Sequence, residues 1–156
     1  MTFLEKNLED IIFNTNPFKL FERGLDIVDY SARKRQLKIG NYGIADIVLF
    51  ARDCNVLYVN VVELKKDTIN IESLIQASRY IKGIDRYIRR KRQKDIEIEY
   101  GITLIGANLD LNSSFVHLTD VIADSGFNLK IYTYQYEFDG IRFNTQSDFC
   151  LTNEGF

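Results

Sequence analysis

Gly43-Ile44-Ala45-Asp46-Ile47-Val48-Leu49-Phe50 and, beyond the polar break Asp53-Cys54-Asn55, Val56-Leu57-Tyr58-Val59-Asn60-Val61-Val62-Glu63-Leu64-Lys65 are the two runs on which the fold of this chain turns. Both are almost continuously apolar, the pattern of strands covered on both faces rather than of strands with one wet side. They belong at the centre of a sheet. Each nevertheless carries ionisable groups: Asp46 sits inside the first, and Glu63 and Lys65 close the second. Burying a charge is costly unless it is paired or binds a cation, so these three need a chemical reason. Side chains alternate along a strand, which puts Glu63 and Lys65 on one face about 7 Å apart along the chain. If the two runs pair through the turn at 53–55, Asp46 approaches Glu63.

Outward from this pair, Leu4, Leu8, Ile11 and Ile12 recur at helical spacing and predict a helix over about 2–14, ended by the turn at Asn16-Pro17. Residues 25–30 read as a first strand, joined by a hairpin through the basic 33–38 stretch to the run at 43–52. On the other side, Ile71, Leu74, Ile75, Ser78, Ile81, Ile84 and Ile88 form the apolar stripe of a long helix from 71 to about 92. Arg79, Lys82, Arg86 and Arg90 share another side of it, and Gln76, Tyr80, Gly83 and Tyr87 run between the two. A strand at 97–107 follows, then a short helix at 113–125 with Ser113 or Ser114 as N-cap. Residues 128–137 and 140–144 form a late hairpin around Asp139-Gly140. The predicted order is α-β-β-β-α-β-α-β-β, an α/β fold with a mixed β-sheet flanked by helices.

The chain has 156 residues, 46% hydrophobic and 27% charged, the composition of a single globular domain over 1–156 and not of a disordered segment. No apolar run nears the ~20 residues that cross a bilayer, and the interrupted, acidic start lacks a signal-peptide pattern. A complete, cytoplasmic chain with no membrane partner is the expectation. Cys54 and Cys150 are too few for a disulfide framework and lack zinc-site spacing. The formal net charge of −2 hides an asymmetry, because residues 79–94 hold eight of the 20 bases against one acid, Asp85. Such a segment in an acidic chain suggests a local polyanion contact, with a solvated helix face as the competing account.

Two converging carboxylates suit a hard cation such as Mg²⁺ or Mn²⁺, which takes oxygen ligands and keeps waters for substrate phosphates. A neighbouring ammonium can orient a nucleophilic water or stabilise charge building at phosphorus. This is the chemistry of phosphodiester hydrolysis. The only histidine, His117, lies far from these groups and reads as structural. Gly24, Gly40, Gly43 and Gly101 make no phosphate-loop or dinucleotide fingerprint.

Taken together, Gly43-Ile44-Ala45-Asp46-Ile47-Val48, then Val62-Glu63-Leu64-Lys65-Lys66, then Gln76-Ala77-Ser78-Arg79-Tyr80 resembles the PD-(D/E)XK nuclease superfamily, most of all the NucS-type and RecB-type endonuclease domains. The opening Glu5-Lys6-Asn7-Leu8-Glu9-Asp10, with Asn16-Pro17, Leu20 and Gly24-Leu25, is similar to the first helix and following turn of that family. Ala45 stands where the family name has Pro. The resemblance covers roughly residues 3 to 90 and implies a restriction-endonuclease-like fold and a Mg²⁺- or Mn²⁺-dependent deoxyribonuclease acting through an activated water. By motif, Asp46 and Glu63 would hold the metal and Lys65 would be the catalytic lysine. Glu5 would add an acid from the first helix, with Glu9 as the competing choice, and Gln76 and Tyr80 would complete the site.

DNA is the partner this implies, contacted by Arg79, Lys82, Arg86 and Arg90. A catalytically silent binding module of the same fold, or an RNA or junction nuclease, are the alternatives. A small domain offers a short footprint, so a homodimer or a partner protein is also expected, with the late hairpin bearing Tyr132, Tyr134, Tyr136, Phe138 and Phe143, or the first helix, as the contact.

Overall fold

The structure, a computed structural model, describes residues 5–91 and 96–146. The predicted helix start at Thr2, the bases Arg92 and Lys94, and Cys150 lie outside the described residues. Helix α1 (Glu5–Asn14) buries Leu8, Glu9 and Ile12. At Asn16-Pro17 the chain begins a second helix, α2 (Pro17–Glu22), where the sequence reading has only a turn. The Asn16 side chain accepts from the Phe18 N–H at 2.8 Å, and Pro17 occupies the first helical turn, where its missing N–H costs nothing.

The first strand is β1 (Ala32–Lys38), the basic stretch itself, and not residues 25–30. Leu25 and Ile27 are buried as the alternation requires, but their segment forms no ladder. Its backbone is tied locally: the Leu25 N–H donates to the Leu20 carbonyl at 2.9 Å and the Tyr30 N–H to the Ile27 carbonyl at 3.3 Å, while just before it the Arg23 carbonyl accepts from the Phe143 N–H at 2.7 Å. A strand rich in Arg and Lys is well suited to the sheet edge, where charge discourages pairing with other chains.

A 3-10 turn, Gly40–Tyr42, leads into β2 (Ile44–Asp53), and a tight turn with Cys54 at φ 54° returns the chain as β3 (Val56–Leu64). The short β4 (Thr68–Ile69) precedes α3 (Ile71–Lys91). Then come β5 (Glu97–Gly106), the short β6 (Asn108–Leu109) and α4 (Ser113–Asp124). The N-cap of α4 is Asn112, which accepts from the Phe115 N–H at 2.8 Å, rather than Ser113 or Ser114. Strands β7 (Asn128–Glu137) and β8 (Gly140–Thr145) close the series.

The six-stranded sheet has the order β1-β2-β3-β5-β7-β8. Strands β1, β2 and β3 are antiparallel neighbours, β3, β5 and β7 run parallel through the crossovers α3 and α4, and β8 returns antiparallel to β7. Strands β4 and β6 form a separate parallel pair. The chain is thus a mixed α/β sheet flanked by helices, as predicted.

Both sheet faces are covered. On one, Val48, Val59, Val61, Ile102 and Leu104 pack with Leu74, Ala77 and Ile81 of α3 and Phe115 of α4. On the other, Ile47, Leu49, Val62 and Leu64 pack with Leu8 and Ile12 of α1, Leu20 of α2, and Tyr132, Tyr134 and Phe143. Three aromatics of the late hairpin are therefore core, while Tyr136 and Phe138 stay exposed. The apolar stripe of α3 is also shifted from expectation: Ala77, Tyr80 and Gly83 turn inward and Ile75 is exposed.

Gly83 faces the 3-10 turn, where a Cβ would lie 2.4 Å from Ile39 Cγ2 and 2.8 Å from the Tyr42 ring. Neither neighbour is a flexible chain end. Gly to Ala inside a helix ordinarily stabilises by up to about 1 kcal/mol, while overpacking costs about 1–3 kcal/mol. Gly83→Ala is therefore expected to lower Tm by a few degrees in thermal denaturation, and an increase would show that the turn yields freely.

Candidate active site

The β2–β3 ladder pairs Ile47 with Val62, and continuing that register by one residue sets Asp46 opposite Glu63. Opposed residues of an antiparallel pair project to the same face. By alternation, Asp46 lies on the side of Val48, and Glu63 on the side of Val59 and Val61, the face that α3 covers. Asp46 Oδ2 accepts from the Leu64 N–H at 3.0 Å.

Lys65, two residues past Glu63, brings its Nζ to 3.8 Å from Glu63 Oε1 and remains a third exposed, with its backbone N–H anchored to the Ile105 carbonyl at 2.8 Å. Glu63 is nearly buried, and its Oε2 has no hydrogen-bond partner. That orphaned oxygen is the most unfavourable polar atom of the site.

The electrostatics follow from this placement. Burial, then the Asp46 charge, pushes the Glu63 carboxyl up to about 8, against a smaller opposing pull from Lys65. Burial also raises Asp46 to about 6, opposed by the Leu64 N–H and raised further by Glu5 and Glu9. Two carboxylates in one dry place resist joint ionisation, which is the situation a cation relieves.

The two first-helix acids are placed differently. Glu5, exposed in the first turn of α1, reaches the end of β3, where its Oε1 accepts from the Lys66 N–H at 3.2 Å, and its charge bears on both Asp46 and Glu63. Glu9 is buried and engaged at both oxygens, by Arg35 Nε at 2.7 Å and Gln36 Nε2 at 2.7 Å. Arg35 also pairs with Asp10 and lies over the Phe13 ring at 5.0 Å. This clamp on Glu9 escaped the sequence reading, whose only signal was the basic character of the 33–38 stretch.

From α3, Tyr80 and Gln76 close against Gly43. A Cβ there would lie 3.1 Å from Tyr80 Cε1 and 3.5 Å from Gln76 Nε2, and Gly43 itself has φ 112°. Tyr80 and Gln76 are hydrogen-bonded to each other, and burial, with added push from Glu63 and Asp46, raises the Tyr80 phenol above its ordinary value. The structure thus brings Asp46, Glu63, Lys65, Glu5, Gln76 and Tyr80 to one end of the sheet. The bases Arg79, Lys82, Arg86 and Arg90 are all exposed on α3. Arg79 lies near enough to act on Tyr80, whereas Arg86 and Arg90 line a separate groove farther along the helix. His117 is exposed on α4 rather than held in the interior.

Among the described residues, no three His, Cys, Asp or Glu side chains converge as a complete metal cage. The donors present fit Mg²⁺ or Mn²⁺ in another way, since Mg²⁺ is commonly held by one or two carboxylates and keeps several waters. Asp46 with the unpartnered Glu63 oxygen supplies such a pair.

No family model matches the chain, and no curated protein matches it in sequence. Among solved structures, SfsA from Pyrococcus furiosus, described as in complex with Ca²⁺, superposes with a TM-score of 0.39 at 14% identity, over 90% of this chain. The chain spans 60% of the length of SfsA. At that level of superposition the likeness assigns neither fold nor activity. Among the described residues no helix is long and apolar enough to cross a membrane.

The raised carboxyls give a stability signature. In the unfolded chain both titrate near their ordinary values, and in the fold they keep their protons to about 6 and about 8. The native state then binds more protons, so the stability they contribute is full below about pH 4 and is lost as pH rises through both folded values. The metal-free protein is expected to lose several degrees of Tm between about pH 5 and pH 8.5, with Glu63→Gln removing most of the loss. A profile identical in wild type and variant would contradict the buried pair.

Proposed function

We propose that this chain is a metal-dependent nuclease of the PD-(D/E)XK type that hydrolyses phosphodiester bonds of DNA, acting as a single domain. The observation that carries the reading is the pair of Asp46, half-buried, and Glu63, buried with one oxygen that has no protein partner, beside the Lys65 ammonium. Asp46 and Glu63 would hold Mg²⁺ or Mn²⁺, which when bound lowers the pKa of the attacking water and offsets charge on the scissile phosphate. Asp46 is held in place by the Leu64 N–H. The Lys65 ammonium lies close enough to Glu63 to serve the same reaction centre, donating to the water or to a non-bridging phosphate oxygen. Glu5, free of any clamp like that on Glu9, sits at the rim as a further acceptor for water. Gln76 and Tyr80 orient each other and wall the site beside Gly43.

The test is a panel of single-stranded, duplex and branched DNA, with matching RNA, in Mg²⁺ or Mn²⁺. Wild-type protein is expected to cleave DNA. Lys65→Ala and Glu63→Gln should each reduce the rate by at least about 100-fold while leaving circular dichroism and folding cooperativity intact. For the first-helix acids, Glu5→Gln should lower cleavage at unchanged Tm, and Glu9→Gln should lower Tm by loosening the Arg35 clamp. Binding of nucleic acid without cleavage by the wild type would replace this reading with a silent module, and cleavage of RNA alone would redirect the substrate.

A further inference from the structure

A groove runs along the α3-covered side of the sheet, between strands β1, β2 and β3 and the C-terminal half of α3. It encloses about 1400 Å³, more than the roughly 300–1,000 Å³ of a small-molecule site. Its composition is layered. The rim carries Lys34, Lys38 and Arg52 on the strand wall and Arg86, Arg90 and Lys91 on the helix wall, and no acid is among the described residues that line it. Its floor is apolar, with Phe50, Leu57 and Ile88 half-buried, and the Tyr87 ring stands 63% exposed at its edge.

We propose that this groove binds a single strand of nucleic acid, with bases against the apolar floor and Tyr87 and phosphates along the two basic walls. Six cations facing one another are mutually repulsive, so the occupant must supply a row of negative charge. A row of charge alone has no use for an apolar floor. Duplex DNA turns its phosphates outward and keeps its bases stacked inside, whereas a single strand offers phosphates and base faces together. An acidic peptide supplies the charge without flat aromatic rings.

One part of the groove is already organised for this. Arg86 Nη1 donates to the Tyr42 hydroxyl at 2.6 Å, and its guanidinium lies 6.0 Å from the centre of the Tyr42 ring. The turn bearing Tyr42 seats on Gly83 and passes directly into Gly43, the residue against which Gln76 and Tyr80 close. From Asp46 to Arg52 along β2 is six residues, about 20 Å of strand. A strand lying in the groove would thus end at the carboxylates, and this last step alone rests on the nuclease reading.

Binding is measured in EDTA by fluorescence anisotropy, using labelled 12-mers of dT and of U, a 12-bp duplex and polyglutamate, over a series of salt concentrations. The single strands should bind more tightly than the duplex and polyglutamate, and the dT and U arms separate DNA from RNA. The Lys38→Ala/Arg52→Ala double variant should bind at least tenfold more weakly, with the salt slope reduced by about 1.4, from about 0.7 per charge removed. Tyr87→Ala, at an exposed ring, should weaken single-strand binding about tenfold with the slope unchanged. Equal loss for polyglutamate, equal or tighter duplex binding, or unaltered single-strand binding by both variants at unchanged Tm overturns the proposal. Since no metal or turnover is involved, binding retained by a protein that never cleaves would leave the groove standing and remove the nuclease reading, and the reverse result would do the opposite.

Discussion

Two carboxylates face each other where the β2–β3 ladder ends, in a place too dry for two negative charges. A lone buried ionised group either shifts its pKa or recruits a partner, and a facing pair must do so more strongly. Partial compensation surrounds this pair. The Leu64 N–H serves Asp46, and Lys65 stands near Glu63 at a distance longer than a hydrogen bond. Arg35 and Gln36 engage the carboxylate of Glu9, one turn from Glu5, which limits the negative charge that α1 brings to Asp46. What remains uncompensated is one Glu63 oxygen. A fold optimised for stability alone would pair it or replace it with an apolar group.

The sheet topology explains why these groups meet where they do. Strands β3, β5 and β7 run in one direction through the crossovers α3 and α4, and Glu63, Leu64 and Lys65 lie at the carboxyl end of β3. In open α/β sheets, the carboxyl ends of the parallel strands are where crevices form and ligands bind. The antiparallel hairpin β2–β3 adds Asp46 to the same end from the opposite direction, because the first residues of β2 oppose the last of β3. Helix α1 packs across the other face and brings Glu5 over the rim to the Lys66 N–H. The β2–β3 hairpin and the distant helix α1 thus converge through ordinary core packing.

Asp46, Glu63 and Lys65 were legible in the sequence because each is anomalous: a charge within or ending a run that is otherwise apolar. The long helix was legible from its period, but not which residues of it turn inward, since Ala77, Tyr80 and Gly83 are buried and Ile75 is exposed. Residues 25–30 were misread because Leu25 and Ile27 alternate as strand residues do, while their backbone bonds turn back to Leu20 of α2 and close a turn from Tyr30 to Ile27 instead of joining a ladder. Asn16-Pro17 illustrates a local ambiguity, since the same pair ends one helix and, as N-cap and first-turn proline, begins the next. The clamp on Glu9 and the basic strand wall of Lys34, Lys38 and Arg52 depend on β1 being a strand in register with β2, so they were hidden by the misplaced first strand.

Opposite fields occupy the two ends of the α3-covered face. The groove presents six cations, and the site presents Asp46 and Glu63 with Glu5 at the rim. On the proposed reading, a strand drawn into the groove experiences attraction along its length and repulsion where its last phosphate nears the carboxylates. At physiological salt the screening length is about 8 Å, so these fields act over different phosphates and do not cancel along the ~20 Å of β2. Entry therefore needs no cation, but close approach of a phosphate to the pair does need the charge of Asp46, the first of the two to ionise, to be offset. On that reading, separating the surface that would capture the polyanion from the acids that would act on it lets affinity be set by Lys38, Arg52, Arg86 and Arg90, while the acidic pair stays free to be as unfavourable as its chemistry demands.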